Sequence, residues 1–413
     1  MKSLKMMVAL SAMALSVTAM GAGFGLYEAS ARGVGMGNGL VGSTGDATAN
    51  YHNPANLTEV SDPTVTVGMS LINPFCDVKV NGQMQPKMNA GWFPPPHVYA
   101  ALPLGEDFAF GFGTYCEYGL GTKYDNNWLL KHDTTETTIQ QFTFNPNIAY
   151  KITDDWSIAF GARMSYITFE NYKSPDLLAE YGRPGLFYGR SHLKGDDFNC
   201  GYMLATSYKV TDKFSLGLVY RSRINHRLEG DFKMNGATLI GSVGGKGDAN
   251  AKLILPASVT LGANYEFTES LRGGVSLTWT EWSTINHIDF NLPTISTPAG
   301  SKNPSYAQKL NWHDAWRLGF GFEYDFTKNF CGRIGYSYDW DPSSEAHGTT
   351  MLPPGDRHLV GFGAGYRFNE DWRIDLGYSF ILMESETRVI EGARFQCDNS
   401  YSHIVSASVT YTF

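Results

Sequence analysis

Three histidines stand near carboxylates: His313 beside Asp314, His132 beside Asp133, and His347 beyond Asp339 and Asp341. A His–Asp pair placed next to a nucleophile would serve acid–base hydrolysis, as in membrane proteases and phospholipases. Residues adjacent on a strand point to opposite faces, so His313 and Asp314 do not form such a pair by themselves. Gly37, Gly39 and Gly42 have the Gly-x-Gly-x-x-Gly spacing of a dinucleotide loop. No strand precedes them and no helix follows in a βαβ unit, so the spacing reflects glycine richness. Gly244-Gly245-Lys246-Gly247 lacks the hydroxyl residue of a phosphate-binding loop. Cys76, Cys116, Cys200, Cys331 and Cys397 have no metal-ligand spacing. An oxidising compartment would allow one or two disulfides, whose pairing the sequence leaves open. The reading is a chain that is not an enzyme, with no cofactor and no metal, and any transport by it is unpowered.

The chemistry left is apolar binding. Trp92, Phe93, Trp128, Leu129, Leu130, Leu177, Leu178, Leu186, Phe187 and Tyr188 are large apolar groups that fall between predicted strands. They would line an outer groove for a hydrophobic ligand, or simply pack connecting segments against each other. Lys309, Arg317 and Arg357 stand at or near predicted strand starts, where a cation could meet a carboxylate head group. The plainer reading pairs them with Asp314 or Asp356, or leaves them solvated.

The elements that would position these groups begin after a leader. Lys2 and Lys5, an apolar run from Met6 to Val17 and small residues at Ala19, Gly21 and Ala22 read as a secretory signal peptide over 1–21,. Nothing downstream reaches the roughly 18 consecutive apolar residues of a membrane helix. Aromatic residues make up 14% of the chain and glycine 45 of 413 residues, a mixture that suits short-turn β architecture,. An exported chain without apolar helices spans a bilayer only as a closed barrel. The net charge of −8, with basic residues scattered, argues against nucleic acid as a partner,.

A short turn recurs about every 40 to 60 residues, at Gly105-Glu106, Thr153-Asp154-Asp155, Thr211-Asp212-Lys213, Thr268-Glu269-Ser270, Thr327-Lys328-Asn329 and Asn369-Glu370-Asp371,. Large apolar residues flank each one, such as Leu104 and Phe108 or Phe368 and Trp372, as in an interfacial girdle. Alternation fills the segments between. Tyr401, Val405, Ala407, Val409, Tyr411 and Phe413 share one face, opposite Ser402, Ser406, Ser408, Thr410 and Thr412,. Six turns and a strand at each end predict an all-β fold, a transmembrane antiparallel β-barrel of about fourteen strands over 64–413. The strands are placed near 64–72, 97–104, 107–116, 139–152, 155–169, 197–210, 213–225, 253–267, 270–284, 312–326, 329–340, 356–369, 372–384 and 401–413, within roughly 2 to 4 residues. Long loops join them on the other side, 226–252 and 385–400 among them. The short turns then face the periplasm and the loops face out. Residues 22–63 do not alternate; they carry Gly33, Gly35, Gly37, Gly39, Gly42 and Gly45 and end in Asn53-Pro54-Ala55. A stretch so costly to order needs a cavity that shapes it, so it reads as a plug inside the barrel.

At this point the chain resembles the FadL family of outer-membrane transporters. The start Ala22-Gly23-Phe24-Gly25-Leu26-Tyr27-Glu28 is similar to the family's mature N-terminus, and Asn53, Pro54 and Ala55 fall at its hatch motif. Further similarities run in order through Tyr118-Gly119-Leu120-Gly121-Thr122, Tyr220-Arg221-Ser222, Leu255-Pro256, Trp279-Thr280-Glu281-Trp282-Ser283, Trp312-His313-Asp314-Ala315-Trp316-Arg317, Asp356-Arg357 and Glu391-Gly392. The third and fourth loops look shorter than in the family's fatty acid carriers. The resemblance implies passive uptake of long-chain fatty acids through a hatch that moves and a kinked third strand that opens the wall sideways. Gly111, Gly113 and Gly119 would allow that kink, or would merely relieve crowding in the lumen. The partners it implies are a fatty acid or hydrocarbon ligand, outer-membrane lipid and lipopolysaccharide, and the barrel-assembly machinery that reads a terminal Phe413. Alternatives are uptake of aromatic or alkane hydrocarbons by the same route, a polar-solute porin, or a surface adhesin.

Overall fold

Alternating side chains give each segment one apolar and one small or polar face, and the two faces meet different surroundings. Along Trp156–Lys173, Trp156, Ile158 and Phe160 lie outside while Ser157, Ala159 and Ser165 are inside. The computed structural model describes residues 23–88, 91–177, 188–239, 241–298, 300–302 and 305–413; the predicted leader lies outside them.

Among the described residues the strands close into one antiparallel barrel of fourteen. They are β1 Thr64–Val80, β2 Pro96–Leu104, β3 Phe108–Tyr115 resuming at Gly119–Lys123, β4 Glu136–Thr153, β5 Trp156–Lys173 and β6 Arg190–Thr211. β7 runs Phe214–Arg221 and again Ile224–Thr238, and β8 Gly241–Leu255 and again Ser258–Glu266, interrupted at Pro256, which has no N–H for a ladder,. β9 Leu271–Thr280, β10 Ala315–Asp325, β11 Phe330–Asp339, β12 Arg357–Arg367, β13 Trp372–Met383 and β14 Ala393–Thr412 complete the wall. The seam pairs β1 with β14 from Thr64↔Thr412 to Val80↔Phe395. Outward residues at the short turns, Leu104, Phe108, Trp156, Phe267, Phe326, Phe368 and Trp372, are exposed as a girdle requires,.

Several expected loops are folded: in one, His287–Asn291 pairs with Ser305–Lys309, and two more are hairpins on the wall strands. Of the expected loop 226–252, residues 226–238 and 241–252 form the tall hairpin of β7 and β8, in register from Ile224↔Leu255 to Thr238↔Gly241. Residues 385–400 likewise turn back at Glu391-Gly392, with Glu386–Ile390 pairing onto β14. Both hairpins rise beyond the apolar band, where neither face has to be oily, so the period-two signal is weak there.

The N-terminal segment fills the lumen. Helix α1, Ala31–Gly35, is capped by Ser30, whose hydroxyl accepts from the Gly33 N–H; α2, Ala49–His52, runs into a 3₁₀ turn, Pro54–Glu59. Residues 31–42 pass strand after strand, and wall glycines meet their backbone: Gly377 at Ala31, Gly361 at Val34, Gly335 and Gly319 at Gly37, Gly274 at Gly39, Gly217 at Val41. A Cβ at any of these wall positions would collide with main chain, which cannot swing aside. Gly37 also holds a φ of 57°, which favours glycine,. The 3₁₀ end docks on the remaining side, where Asn53 Nδ2 donates to the Thr206 carbonyl at 3.0 Å and Asn50 Nδ2 to that of Ala100 at 2.9 Å.

Gly319→Val is expected to weaken this docking by about 1–3 kcal/mol, the usual cost of overpacking. Protease cleavage within residues 23–59 of the folded, detergent-purified barrel would then rise by one to two orders of magnitude, on the order set by that cost. A variant as resistant as the parent would show that the wall contact is not what holds the segment.

Candidate functional site: an apolar chamber on a polar floor

On the outer side of the plug lies a chamber lined by apolar side chains, among them Phe24, Leu120, Ile139, Phe169, Leu253 and Trp312. They belong to a single buried cluster that draws on β3 to β8 and the segments around Ile285, Leu310 and Met351. The chamber holds only about 30 Å³ of free volume, so in this conformation its side chains have closed on each other. Its floor is aromatic: the Phe24 ring lies 5.0 Å from Trp282, 5.7 Å from Tyr118 and 6.0 Å from Trp312.

Below that floor is a polar cavity of about 70 Å³, lined by Tyr27, Tyr51, His52, Glu117, Arg221 and Arg317 among others. Arg317 stacks its guanidinium 3.8 Å above the Tyr27 ring. In register, Arg317 faces Asp339 and Asp339 faces Arg357, a row across β10, β11 and β12. Arg357 is fully buried and none of its three guanidinium nitrogens has a hydrogen-bond partner; Nε and Nη1 of Arg317 are likewise unpartnered. A buried guanidinium without a hydrogen-bond acceptor is costly, and the register sets the Asp339 carboxylate between these two,.

The third strand breaks beside the chamber. Its two halves both pair with β4, through Tyr115↔Thr143 and Gly119↔Gln140, so Cys116, Glu117 and Tyr118 face only two partner positions. The Gln141 side chain takes up the stray N–H groups of Glu117 and Tyr118 at 3.0 and 3.3 Å. β2 pairs with β3 only as far as Val98↔Thr114. Beyond that point the N-terminal segment supplies the bonds: Leu26 N–H donates to the Glu117 carbonyl at 2.7 Å and Gly119 N–H to that of Phe24 at 2.9 Å. Leu26, Phe93 and Cys116 fill the space with one apolar cluster.

Glu117 ties the break to the lumen. Its carboxylate accepts from Arg163 Nη2 at 2.7 Å and Thr143 Oγ1 at 2.8 Å, and Arg221 Nε lies 3.3 Å away. Arg221 Nη2 in turn donates to the Tyr51 carbonyl of the plug. The break in β3 and the plug are therefore one bonded unit.

His52, in the plug and not in a spanning strand, meets Ser30 Oγ at 2.9 Å. Burial pushes its pKa from 6.5 down to about 3. The group is neutral when docked, so its contribution is present above pH 6.5 and is lost as pH falls toward 3,. By pH 5 the loss is about 2 kcal/mol. Undocking is thus expected to rise roughly thirtyfold from neutral pH to pH 5, and His52→Gln to flatten that rise, as read by a fluorophore on the plug. An unchanged slope in the variant would place the titrating group elsewhere.

The predicted residues divide. Asn53, Pro54 and Ala55 form the turn into the 3₁₀ end, with Asn53 Oδ1 accepting from Ala55 N–H at 3.1 Å. Trp128 and Leu130 do not line a groove: they are buried in a core of the outer loops, with Trp128 stacked 4.1 Å from Tyr124. Phe93 belongs to the cluster at the strand break, whereas Trp92 and Leu129 are exposed. Leu177 packs partly buried against the edge of the chamber cluster, and Tyr188 lies under Lys131 at 4.0 Å. Leu178, Leu186 and Phe187 lie outside the described residues. Lys309 is exposed in the outer ladder opposite His287, away from the lumen, because β10 starts only at Ala315. Gly111 and Gly113 are not at the break: a Cβ at Gly111 would strike Asn50 and Leu57 of the plug, and one at Gly113 would press on the Tyr115 and Tyr99 rings, so both relieve crowding in the lumen; of the three only Gly119 adjoins the break, against Leu26. All five cysteines are free thiols in this structure. Glu117 and Arg163 have no motif in the sequence, and Phe24, Leu120 and Trp312 of the chamber stand out there only as parts of family-like motifs, although an arginine on the inward face of a strand is itself a signal.

Sequence and structure comparisons agree with this architecture. The long-chain fatty acid transport protein of Escherichia coli O6:H1 is 26% identical over 412 residues, spanning 91% of this chain and 90% of its own. A FadL homologue of Pseudomonas aeruginosa superposes with a TM-score of 0.82 at 21% identity, covering 94% of this chain and 99% of that one. The toluene transporter TodX of P. putida does so with 0.75 at 20% identity, with the same coverage. With the profile of the outer membrane protein transport proteins (OMPP1/FadL/TodX) matching residues 12–413, the chain belongs to that family of outer-membrane transporters of hydrophobic compounds.

Proposed function

We propose that the protein takes up long-chain fatty acids by passive diffusion and releases them sideways into the membrane at the break in β3. The observation that carries this reading is an apolar chamber above a polar cavity lined by Arg317, which is in register through Asp339 with Arg357, both arginines being buried with nitrogens that lack hydrogen-bond acceptors. The tail enters the chamber and each buried methylene contributes about 0.8 kcal/mol, so capture requires no energy source. The carboxylate meets the arginine row. Its arrival competes with Glu117 and Asp339 for guanidinium groups, which loosens Arg221 from Tyr51 and the plug from the break. Leu26 and Phe93 then leave the gap between β2 and the upper half of β3, and the ligand exits there.

Uptake of a neutral monoaromatic by the same route is the second reading, favoured by the likeness to a toluene transporter. It gives the unpartnered nitrogens of Arg317 and Arg357 no ligand charge to meet. A polar-solute porin fits poorly with a lumen filled by the plug along most of its wall.

The test is flux into liposomes carrying the purified protein, measured for labelled oleate, toluene and a short sugar. Saturable oleate flux with little sugar flux is expected. Sugar flux with steady high conductance would replace this reading by the porin.

A further inference from the structure

A second concavity lies on the outside of the wall. It has a volume of about 950 Å³ and is bounded by the outer ends of β3 to β7 and by the segments around Lys87, Asp125–Lys131 and Tyr188. One row crosses five strands in register: Lys123↔Glu136, Glu136↔Tyr172, Tyr172↔His192, His192↔Lys233. The row faces outward, since the residues one step along each strand, Thr122, Thr137, Asn171, Ser191 and Phe232, are the buried ones. The sheet itself therefore separates this cleft from the apolar chamber.

Its charge runs against that of the chain. Six cations, Lys87, Lys123, Lys131, Lys173, Arg190 and Lys233, line it against the carboxylates of Asp125 and Glu136, in a chain of net charge −8. Glu136 is engaged by Lys123 at 2.8 Å, Lys87 by Asp77 at 3.3 Å, and Glu170 by His192 and Tyr172, so the basic excess rests on Lys131, Arg190 and Lys233. Two tyrosine rings, Tyr172 and Tyr188, are each 37% exposed beside these cations, Tyr172 stacked on His192 at 4.1 Å.

Height fixes the surroundings. The outward residues of β5 are apolar from Trp156 through Ile158 and Phe160 to Tyr166, then become Thr168, Glu170 and Tyr172. Six residues past Tyr166, at about 3.3 Å per residue and a strand tilt of roughly 40°, the row stands about 15 Å above the last lipid-facing ring. That is the head-group layer of the outer leaflet. A fatty acid would require an apolar wall continuing from the cations, and the lining is mostly polar. Sugars stacked on tyrosine faces and phosphates held by lysine and arginine match it instead.

We propose that this cleft binds the phosphorylated saccharide head group of an outer-leaflet glycolipid, seating phosphates at Lys123, Lys131, Arg190 and Lys233 and sugar rings on Tyr172 and Tyr188. The inference is independent of the cargo.

The experiment is binding of phosphorylated lipopolysaccharide to the full barrel in detergent, with dephosphorylated lipopolysaccharide, inorganic phosphate and oleate as separate arms. Lys123→Gln with Lys233→Gln removes two exposed charges, Lys213→Gln on a periplasmic turn is the control, and heat-modifiable migration verifies folding. The phosphorylated glycolipid is expected to bind, at least about tenfold more weakly in the double variant and unchanged in the control, with affinity falling as salt rises. Equal binding by the double variant overturns the proposal, as does equal binding of the dephosphorylated glycolipid. Inorganic phosphate binding as tightly as the glycolipid would reduce the cleft to an anion site. Competitive displacement by oleate would make it a cargo site.

Discussion

Arg32→Met is expected to convert the shut barrel into a conducting one. Arg32 sits in α1 and joins the plug to the wall through Glu323 of β10, with Nη2 3.1 Å from Oε1 and Nε 3.2 Å from Oε2, while Nη1 reaches Asp46 at 2.9 Å. The pair is buried, with the Arg32 side chain 12% exposed and Glu323 not at all. Breaking a buried pair costs about 3–5 kcal/mol, because it strands a charge in low dielectric. Glu323 keeps Arg272 at 2.6 Å and Arg333, which brings the cost to the low end. About 3 kcal/mol moves the open population by roughly two orders of magnitude. Single-channel recording in planar bilayers measures this directly, and Arg32→Lys, which keeps the charge but loses the fork, should fall between. Conductance of Arg32→Met indistinguishable from the parent would mean that the glycine contacts alone hold the plug.

The second large effect concerns the cargo. Replacing Arg317 and Arg357 by Met, with Asp339→Asn in the same chain so that no lone carboxylate is left facing two methionines, is expected to depress oleate flux selectively. Losing the partner of a desolvated carboxylate costs about 2–5 kcal/mol, which is on the order of thirtyfold or more in affinity. Toluene flux, which has no charge to satisfy, should be kept or improved. Oleate flux equal to that of the parent would remove the head-group role of the row and favour the neutral cargo.

Much of the wall is legible in the chain, because a strand buried in lipid on one side must alternate and every short turn must sit in an aromatic ring. That β1 and β14 run antiparallel at the seam follows from an even number of such strands, whereas the pairing of Thr64 with Thr412 does not. The residues of the site are legible unevenly. Asn53 and Pro54 stand out, since a polar turn maker beside a proline has a local signature. Trp128 does not betray its place: a loop core and a ligand groove both demand large apolar groups, and only packing on Tyr124 and Phe395 distinguishes them. The hairpin of β7 and β8 looks like a loop in the sequence because, above the bilayer, neither of its faces is obliged to be oily.

The sequence by itself determined the barrel, the short turns at one end with long connections at the other, and a glycine-rich segment too costly to stand alone, because each rests on local periodicity and on what lipid forbids. Closure decided the rest. Gly217, Gly274, Gly319, Gly335 and Gly377 become one track for the plug, Glu117 reaches Arg163 and Arg221, and Arg317 lines up with Arg357, only when the strands settle into register. A register is a property of paired strands, so no single stretch of the chain contains it.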